Sequence, residues 1–566
     1  MTTTAAATVQ PAASAGRRGA PPPWVIVTVL TTAVVVFSTI RGLVRGFQPI
    51  GDNALIELRA WDVFTSDRPL LGTWSSASVA TGLDVNHPGP LLFDYFALPV
   101  RLLGGRFGVA FGAAVLNLGA LWASVLVARR VGGAATALAT AVAAAVLTWA
   151  MGSELLFDTW QPNILVLPFF CFLVLMWAVW CGHAGALPWA VLVGSLCVQA
   201  HLSYLFLVPA LLIGAVVALI VRDGRQTWSH HHRSFVLAIV VGVVAWAQPL
   251  WEQFTSSGEG NLSRLLDSSG TEGARNGVGA SVRMLSAVLA LPPWFGRPGY
   301  DSAIPASPWT DVDGTRRIDL DALPALPLAV LGLVVLVAVL IAAFVLTRRS
   351  GDEITPPGVV LIGVALLVAL FTAVITPVDP VFGVVAHKVR WLWALGAFIA
   401  AVLVGALLQA AARRSTVTAT RASWVAVAVG VVVSLLTIPT YRVVAGPVDQ
   451  PEAWAGAEAL REQLGPLEGT GTVFVDLEGI VFAEPYSWAL MAELARRDIP
   501  FLVAGDGDVR QVGDNRRFDG GADVRLFYRT GPEAEVVPPG ATRVAYVSAS
   551  EDADAIAVFV EPFADG

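Results

Sequence analysis

Gly51-Asp52-Asn53-Ala54-Leu55-Ile56-Glu57-Leu58-Arg59 stands just behind an apolar run, and Asn86-His87-Pro88-Gly89-Pro90-Leu91 closes the same polar segment. Between them lies Leu71-Gly72-Thr73-Trp74-Ser75. The segment reads as an acidic residue past a membrane-length stretch, a short helix, and an HPGP turn entering a further apolar helix. Its surroundings are membrane-like. A bilayer-spanning helix needs roughly 20 apolar residues. Charge-free runs of that order occur at 19–40, 107–128, 131–153, 159–221, 322–347, 354–378, 391–412 and 422–441, with a shorter one at 234–251. The 566 residues are 55% apolar and 14% charged, with mean hydropathy +0.67. Ordinary globular domains carry about 25% charged residues. A soluble enzyme is therefore excluded, and so is a disordered chain. Cys171, Cys181 and Cys197 all lie in apolar runs, so no disulfide framework is implied.

Arginines punctuate the spans at Arg17–Arg18, Arg129–Arg130, Arg222/Arg225/Arg233, Arg348–Arg349 and Arg413–Arg414 with Arg421. The positive-inside rule assigns these clusters to the cytoplasm. Parity then fixes the remainder. Loop 41–86 is outside, and Arg129–Arg130 return inside through the span 107–128. Segment 88–104, which contains Asp94 and Arg101, is therefore an interfacial or re-entrant helix. The long run 159–221 starts outside and ends inside, and three spans fit it, at about 162–181, 186–200 and 203–221. The expectation is a polytopic α-helical membrane protein of about eleven spans. Its first span is an uncleaved anchor, with the N-terminus inside and the C-terminus outside.

Charge divides the chain. Residues 1–445 hold 27 Lys+Arg and 21 Asp+Glu, whereas residues 446–566 hold 9 Arg, no Lys and 22 Asp+Glu. The break, near Tyr441 to Gln450, separates an apolar body from an acidic tail. The expected organisation is a disordered cytoplasmic N-terminus at 1–23, a transmembrane domain at 24–445 with outer loops 41–106 and 251–322, and a small extracytoplasmic α/β domain at 446–566. In that tail, helices fit Pro451–Leu464 and Glu484–Arg497. Strands fit Thr472–Asp476, Pro500–Val503, Val524–Tyr528 and Arg543–Ser548, and Gly505–Asp508 reads as a turn. A further helix is expected near Ala280–Leu291 in the long outer loop.

On this topology His87, His201 and His387 all fall at the outer face, with Asp52, Glu57, Asp62, Asp158, Lys388 (the single lysine) and Arg390. Polar groups near a bilayer are costly and are functional candidates by default. One outward-facing polar site is the simplest reading. The tract His230–His232 lacks further ligands and sits among arginines on the other side. Asn261-Leu262-Ser263 matches a glycosylation sequon.

The first loop, with weaker echoes at 154–163, 199–204, 247–265 and 387–391, resembles the GT-C superfamily of lipid-dependent glycosyltransferases. The similarity is to the protein O-mannosyltransferase and lipid A aminoarabinose transferase type. Relatives often carry an Asp-Glu pair in this loop; here the second place is Asn53. The resemblance implies inverting transfer of a sugar from a polyprenyl-phosphate carrier, with Asp52 as the catalytic base. The alternative for Asp52 is a helix cap, since Asp favours that position. Lys388 and Arg390, cationic at the outer start of a span, suit a leaving lipid phosphate. Glu57, His87, Asp158 and His201 are candidate substrate contacts. Their competing readings are a solvated face, a turn, a loop charge and an interface anchor.

The expected function is that of a membrane glycosyltransferase at the outer face of a bacterial plasma membrane. Its partners would be a polyprenyl-phosphate sugar donor, a glycan, glycolipid or protein acceptor, and membrane lipid, with no nucleic acid. These residues make no cofactor certain, and a divalent metal is left open. The rival functions are a flippase for lipid-linked glycans and a non-catalytic envelope scaffold.

Overall fold

The computed structural model describes residues 21–256, 258–269, 274–290, 309–312, 315–318, 320, 323–379, 383–439, 450–478, 480, 484–549 and 554–563. The N-terminal segment and the body–tail boundary read from charge lie outside these residues. So does much of loop 251–322.

The helices run α1 (Pro23–Val44), α2 (Gly51–Asp62), α3 (Ala77–Thr81), α4 (Leu91–Leu103) and α5 (Gly105–Met151). Next come α6 (Gln161–Ile164), α7 (Val166–Trp180), α8 (Leu187–Ala200), α9 (Leu207–Asp223), α10 (Thr227–Ala245), α11 (Ala247–Thr255), α12 (Asn261–Ser269) and α13 (Gly277–Leu289). After a hairpin of β1 (Trp309–Val312) and β2 (Thr315–Ile318) follow α14 (Leu326–Arg349), α15 (Thr355–Ile375), α16 (Trp391–Arg414) and α17 (Thr416–Thr437). Among the described residues eight helical stretches are long and apolar enough to cross a membrane. Two of them are double. The 47 residues of α5 would reach about 70 Å, over twice a hydrocarbon core. Gly132 and Gly133 break that helix into two crossings, Gly133 at φ 71°. Stretch Leu202–Ala245 turns back at Gly224–Gln226. With the shorter apolar α8, eleven crossings result among the described residues, and the chain is a multi-pass membrane protein. Segment 88–104 is the half-length helix α4, as parity requires.

α5 is the hub of the bundle, packing on α1, α4, α7, α16 and α17. Small residues bring the helices close. Phe96 lies across Gly112, and Val27 across Gly430. Tracing the helices places the C-terminal end of α1, the N-terminal ends of α5, α7 and α16, and the C-terminal ends of α8 and α15 on one face. The arginine pairs 129–130, 348–349 and 413–414 lie at opposite helix ends.

The tail contains α18 (Glu452–Gln463), β3 (Val473–Val475), α19 (Ser487–Arg496), β4 (Phe501–Val503), α20 (Asp506–Val512), β5 (Val524–Thr530), β6 (Thr542–Val547) and β7 (Ile556–Pro562). The strands form one mixed sheet of order β4-β3-β5-β7-β6, parallel across β4, β3 and β5. Each helix and strand read from the tail sequence is found within a few residues. Two elements are additional: α20, over the stretch read as a turn, and β7.

The tail is bolted to the first loop. Arg461 grips Glu57 with both guanidinium nitrogens, at 3.1 and 2.8 Å, and donates to Pro49 O at 3.0 Å. Arg516 holds both oxygens of Asp62 at 2.7 and 2.8 Å. Arg510 Nε donates to Asn86 Oδ1 at 2.7 Å, and the backbone N–H of Trp74 donates to Gln511 Oε1 at 2.8 Å. These carboxylates and guanidiniums are nearly all buried, so each pair depends on its partner.

Candidate functional site

Asp52 sits in the first turn of α2. The N-cap of that helix is Ile50, and no side chain caps it, so Asp52 is not tied up as a cap. Among the described residues its carboxylate makes no hydrogen bond. Asn53, next to it, is fully buried and has a structural role. Its Oδ1 accepts from the backbone N–H and the hydroxyl of Thr159, at 3.2 and 2.8 Å. Gln161 Nε2 adds a bond to Thr73 Oγ1 at 2.9 Å. These contacts clamp the loop that carries Asp158 onto the first loop and bring Asp158 beside Asp52. The two carboxylates come from different loops, whereas the first loop by itself supplies only one and an amide.

Burial, reinforced by the Asp158 charge, pushes Asp52 up to about 6. Burial pushes Asp158 up to about 6 as well. It does so against hydrogen bonds from Asn163 and the Trp160 backbone, and against the Arg390 charge. Such a pair titrates as a unit.

Asn163 joins the acidic half of the site to its basic half. Its Nδ2 donates to Asp158 Oδ2, and its Oδ1 accepts from Arg390 Nη1. The guanidinium of Arg390, 2% exposed, also lies over the Trp160 ring at 5.1 Å. Trp160 meets His387 edge-on at 5.2 Å, His387 lies 6.5 Å from His201, and His201 lies 4.9 Å from His87. His87 Nδ1 accepts from the Leu202 backbone at 3.2 Å, which leaves its proton on Nε2. Burial pushes His87 down to about 3. Burial, with repulsion from the Lys388 and Arg390 charges and from the neighbouring imidazoles whenever those are protonated, holds His201 well below its ordinary value. Both imidazoles are neutral at pH 7 and act as hydrogen-bonding groups, so the positive charge here belongs to Lys388 and Arg390. Lys388 Nζ donates to Pro377 O at 3.2 Å, with Asp379 at 4.0 Å.

His87, His201 and Lys388 line one wall of a cavity of about 170 Å³. Its other walls include Ser75 of the first loop and Arg275. They also include an apolar side made by Leu202, Phe206, Leu265 and Ile375, at the mouths of α9 and α15. The cavity therefore combines cationic and polar side chains with a hydrocarbon-like lining.

Of the residues expected at the site, Asp52, His87, Asp158, His201, Lys388 and Arg390 come together. Glu57 does not. It is committed to Arg461, and Gly105 packs on it so closely that a Cβ there would come 1.7 Å from Oε1. Its position in α2 carries it towards the tail and away from the cleft. Asn163, Trp160 and Arg275 belong to the site and were not singled out by sequence. Asn163 and Trp160 lie in the same echo segment as Asp158, which was the available signal. Asn261, the sequon asparagine, is fully buried. Its side chain brackets the Asn86 backbone at 2.8 and 3.0 Å and accepts from Arg510, so it is a structural joint. A Cβ at Gly89 would come 2.2 Å from Gln199 Oε1 and 2.7 Å from Pro249 Cγ, so a larger residue there would displace the Gln199 side chain. Three of the four echo segments thus meet the first loop directly, and 387–391 packs on two of them through Asn163, Trp160 and His201.

Asp52 and Asp158 offer two carboxylates to a divalent ion. Among the described residues no third His, Cys, Asp or Glu joins them to complete a group that could hold a metal.

No family model matches the chain, and no curated protein matches it in sequence. Solved structures do match. The crystal structure of ArnT from Cupriavidus metallidurans bound to undecaprenyl phosphate superposes with TM-score 0.53 at 15% identity, over 95% of this chain and 98% of that one. The apo state of the same protein gives TM-score 0.51 at 12% identity, over 94% and 97%. The fold is therefore shared along almost the whole length of both chains: a helical bundle with a C-terminal sheet domain.

Proposed function

We propose that this chain is an inverting glycosyltransferase that moves a sugar from a polyprenyl-phosphate carrier to an acceptor hydroxyl on an envelope glycan, glycolipid or protein. The arginine pairs at the far helix ends support a site at the outer face of a bacterial plasma membrane. The observation that carries the reading is a chain of contacts from the carboxylate pair, through Asn163, Arg390, Trp160 and His387, to His201 in the wall of a cavity lined by cationic and apolar side chains. That is the chemistry of a lipid phosphate beside a general base. The neighbour that binds undecaprenyl phosphate shares the fold, which is consistent with it.

In this reading Asp52 takes the proton of the acceptor hydroxyl as its oxygen attacks the anomeric carbon. The carbon–oxygen bond to the carrier phosphate breaks on the opposite face, and the lipid phosphate leaves with the bonding pair. Lys388 and Arg390 stabilise the charge that grows on it. Burial, with Asp158 alongside, keeps the Asp52 pKa high enough for a useful base. Asn163 keeps Asp158 and Arg390 in register. His87 and His201 donate neutral hydrogen bonds to sugar or phosphate oxygens.

The test is linkage analysis of envelope glycans from a deletion strain, complemented with wild type and with Lys388→Met at equal membrane abundance. Wild type is expected to restore a missing terminal sugar. Lys388→Met should lower transfer in isolated membranes about 10- to 100-fold, the worth of a hydrogen bond to a charged group. Equal restoration by both would favour a flippase or scaffold.

The pH profile gives a second check. The base works ionised, and its folded pKa is raised, so activity is lost as pH falls. The acidic limb of the transfer rate is expected near pH 6, not near the ordinary Asp value of about 4. Asp158→Asn removes the like charge and should move the limb downward. An acidic limb that stays put in that variant would show that the two carboxylates do not communicate.

A further inference from the structure

A second cavity, of about 1010 Å³, lies wholly in the tail domain. Phe474 of β3 and Phe563 line it, and both pack on Phe518, Phe474 stacked at 4.2 Å and Phe563 at 5.2 Å. Arg525 is fixed at its wall by two carboxylates, Nε to Asp476 at 2.8 Å and Nη1 to Glu561 at 2.8 Å. Two further acids line it, Glu478 and Asp508. Asp508 is half-buried, and its carboxylate makes no hydrogen bond or ion pair among the described residues. Four carboxylates against one guanidinium repel phosphates and uronic acids. What suits them is a ligand rich in hydroxyl donors and free of negative charge. Phe563, half-buried in the same lining, supplies aromatic surface for the C–H face of a sugar ring.

The place of this groove in the fold is the second observation. α20 presents Gly505 and Asp508 to the groove from its first turn. Its other face carries Gly507 against the Trp74 indole, Arg510 on Asn86 and Gln511 on the Trp74 backbone. Ser75, Ser76 and Ala77, directly after Trp74, line the bundle cavity. A single short helix therefore has the groove on one side and the loop of the transfer site on the other.

We propose that this groove binds an uncharged oligosaccharide segment of the acceptor, and hence that the acceptor is a glycan chain. The second statement rests on the transferase reading above; the binding site itself does not.

The experiment uses full-length protein in nanodiscs, fluorescently labelled, on an array of neutral and uronic-acid-containing oligosaccharides. Binding to a subset of the neutral glycans is expected. Glu478→Arg, at an exposed position, and Asp508→Arg should each weaken it at least tenfold with an unchanged melting temperature. Asp52→Asn should bind as wild type does. Absence of neutral-glycan binding, preference for uronic acids, or full binding by both arginine variants would each overturn the proposal. The two readings fail separately. If Asp52→Asn still transfers sugar while the arginine variants lose glycan, the transferase mechanism falls and the groove stands. If Asp52→Asn is inactive and no neutral glycan binds, only the groove falls.

Discussion

Asp52→Asn is expected to lower sugar transfer by about 10²- to 10⁴-fold, the usual worth of a positioned base, and to raise stability at neutral pH. The second effect follows from the raised pKa. A carboxyl whose folded value is above its unfolded one favours the protonated form in the native state. Its ionised form therefore costs stability above about pH 6, and the cost vanishes below 3.8, where both states are protonated. A rise from 3.8 to about 6 corresponds to about 3 kcal/mol as an upper bound. Asp52 is partly open to solvent, so about 1–2 kcal/mol is the expected gain on neutralising it. Thermal unfolding followed by tryptophan fluorescence should show a higher midpoint for the variant at pH 7.5 and no difference at about pH 4, near the ordinary Asp value. A residue that served only as a cap would behave differently, because Asn caps as well as Asp and both readouts would barely move.

Arg461→Met is expected to destabilise the protein by about 3–5 kcal/mol, the cost of leaving a buried partner unpaired. Glu57 is 3% exposed and takes both of its guanidinium bonds from Arg461. Replacing both members by Glu57→Gln with Arg461→Met removes the orphaned charge and should recover more than half of the loss. A double-mutant cycle on unfolding midpoints measures this coupling. Transfer activity should follow stability in the set, since the clamp positions α2, whose first turn carries Asp52. Additive losses in the double variant would mean that the pair is not the joint between bundle and tail.

The resemblance in the first loop singled out Asp52 but could not supply the residues that pack beside it. Asp158 lies far along the chain from Asp52, and nothing local to either residue says that Asn53 and Gln161 will clamp the two loops together. Asn163 looks like an ordinary loop amide until its two ends are seen on Asp158 and Arg390. Glu57 shows the opposite case. Placed on the same helix as Asp52, it could share the cleft by sequence spacing, yet α2 turns it towards a guanidinium that arrives from the tail.

In the tail, β7 was missed because Ile556-Ala557-Val558-Phe559-Val560 is buried on both faces and shows no alternation. A short continuous apolar run does not distinguish strand from helix. Its place in the middle of the sheet, between β5 and β6, is a matter of topology. α20 was hidden by Gly505 to Asp508, whose glycines and aspartates favour turns; docking against Trp74 and Asn86 outweighs that preference.

The amino-acid sequence alone determined that this is a membrane protein, how many times it crosses, and that its costly polar groups gather on one face. These are one-dimensional signals, because a span is decided by about 20 consecutive side chains and their flanking charges. Tertiary structure alone decided which of those polar groups meet, which are spent on holding the tail in place, and where a second groove opens. Pairings between residues hundreds of positions apart depend on geometry that no local pattern encodes.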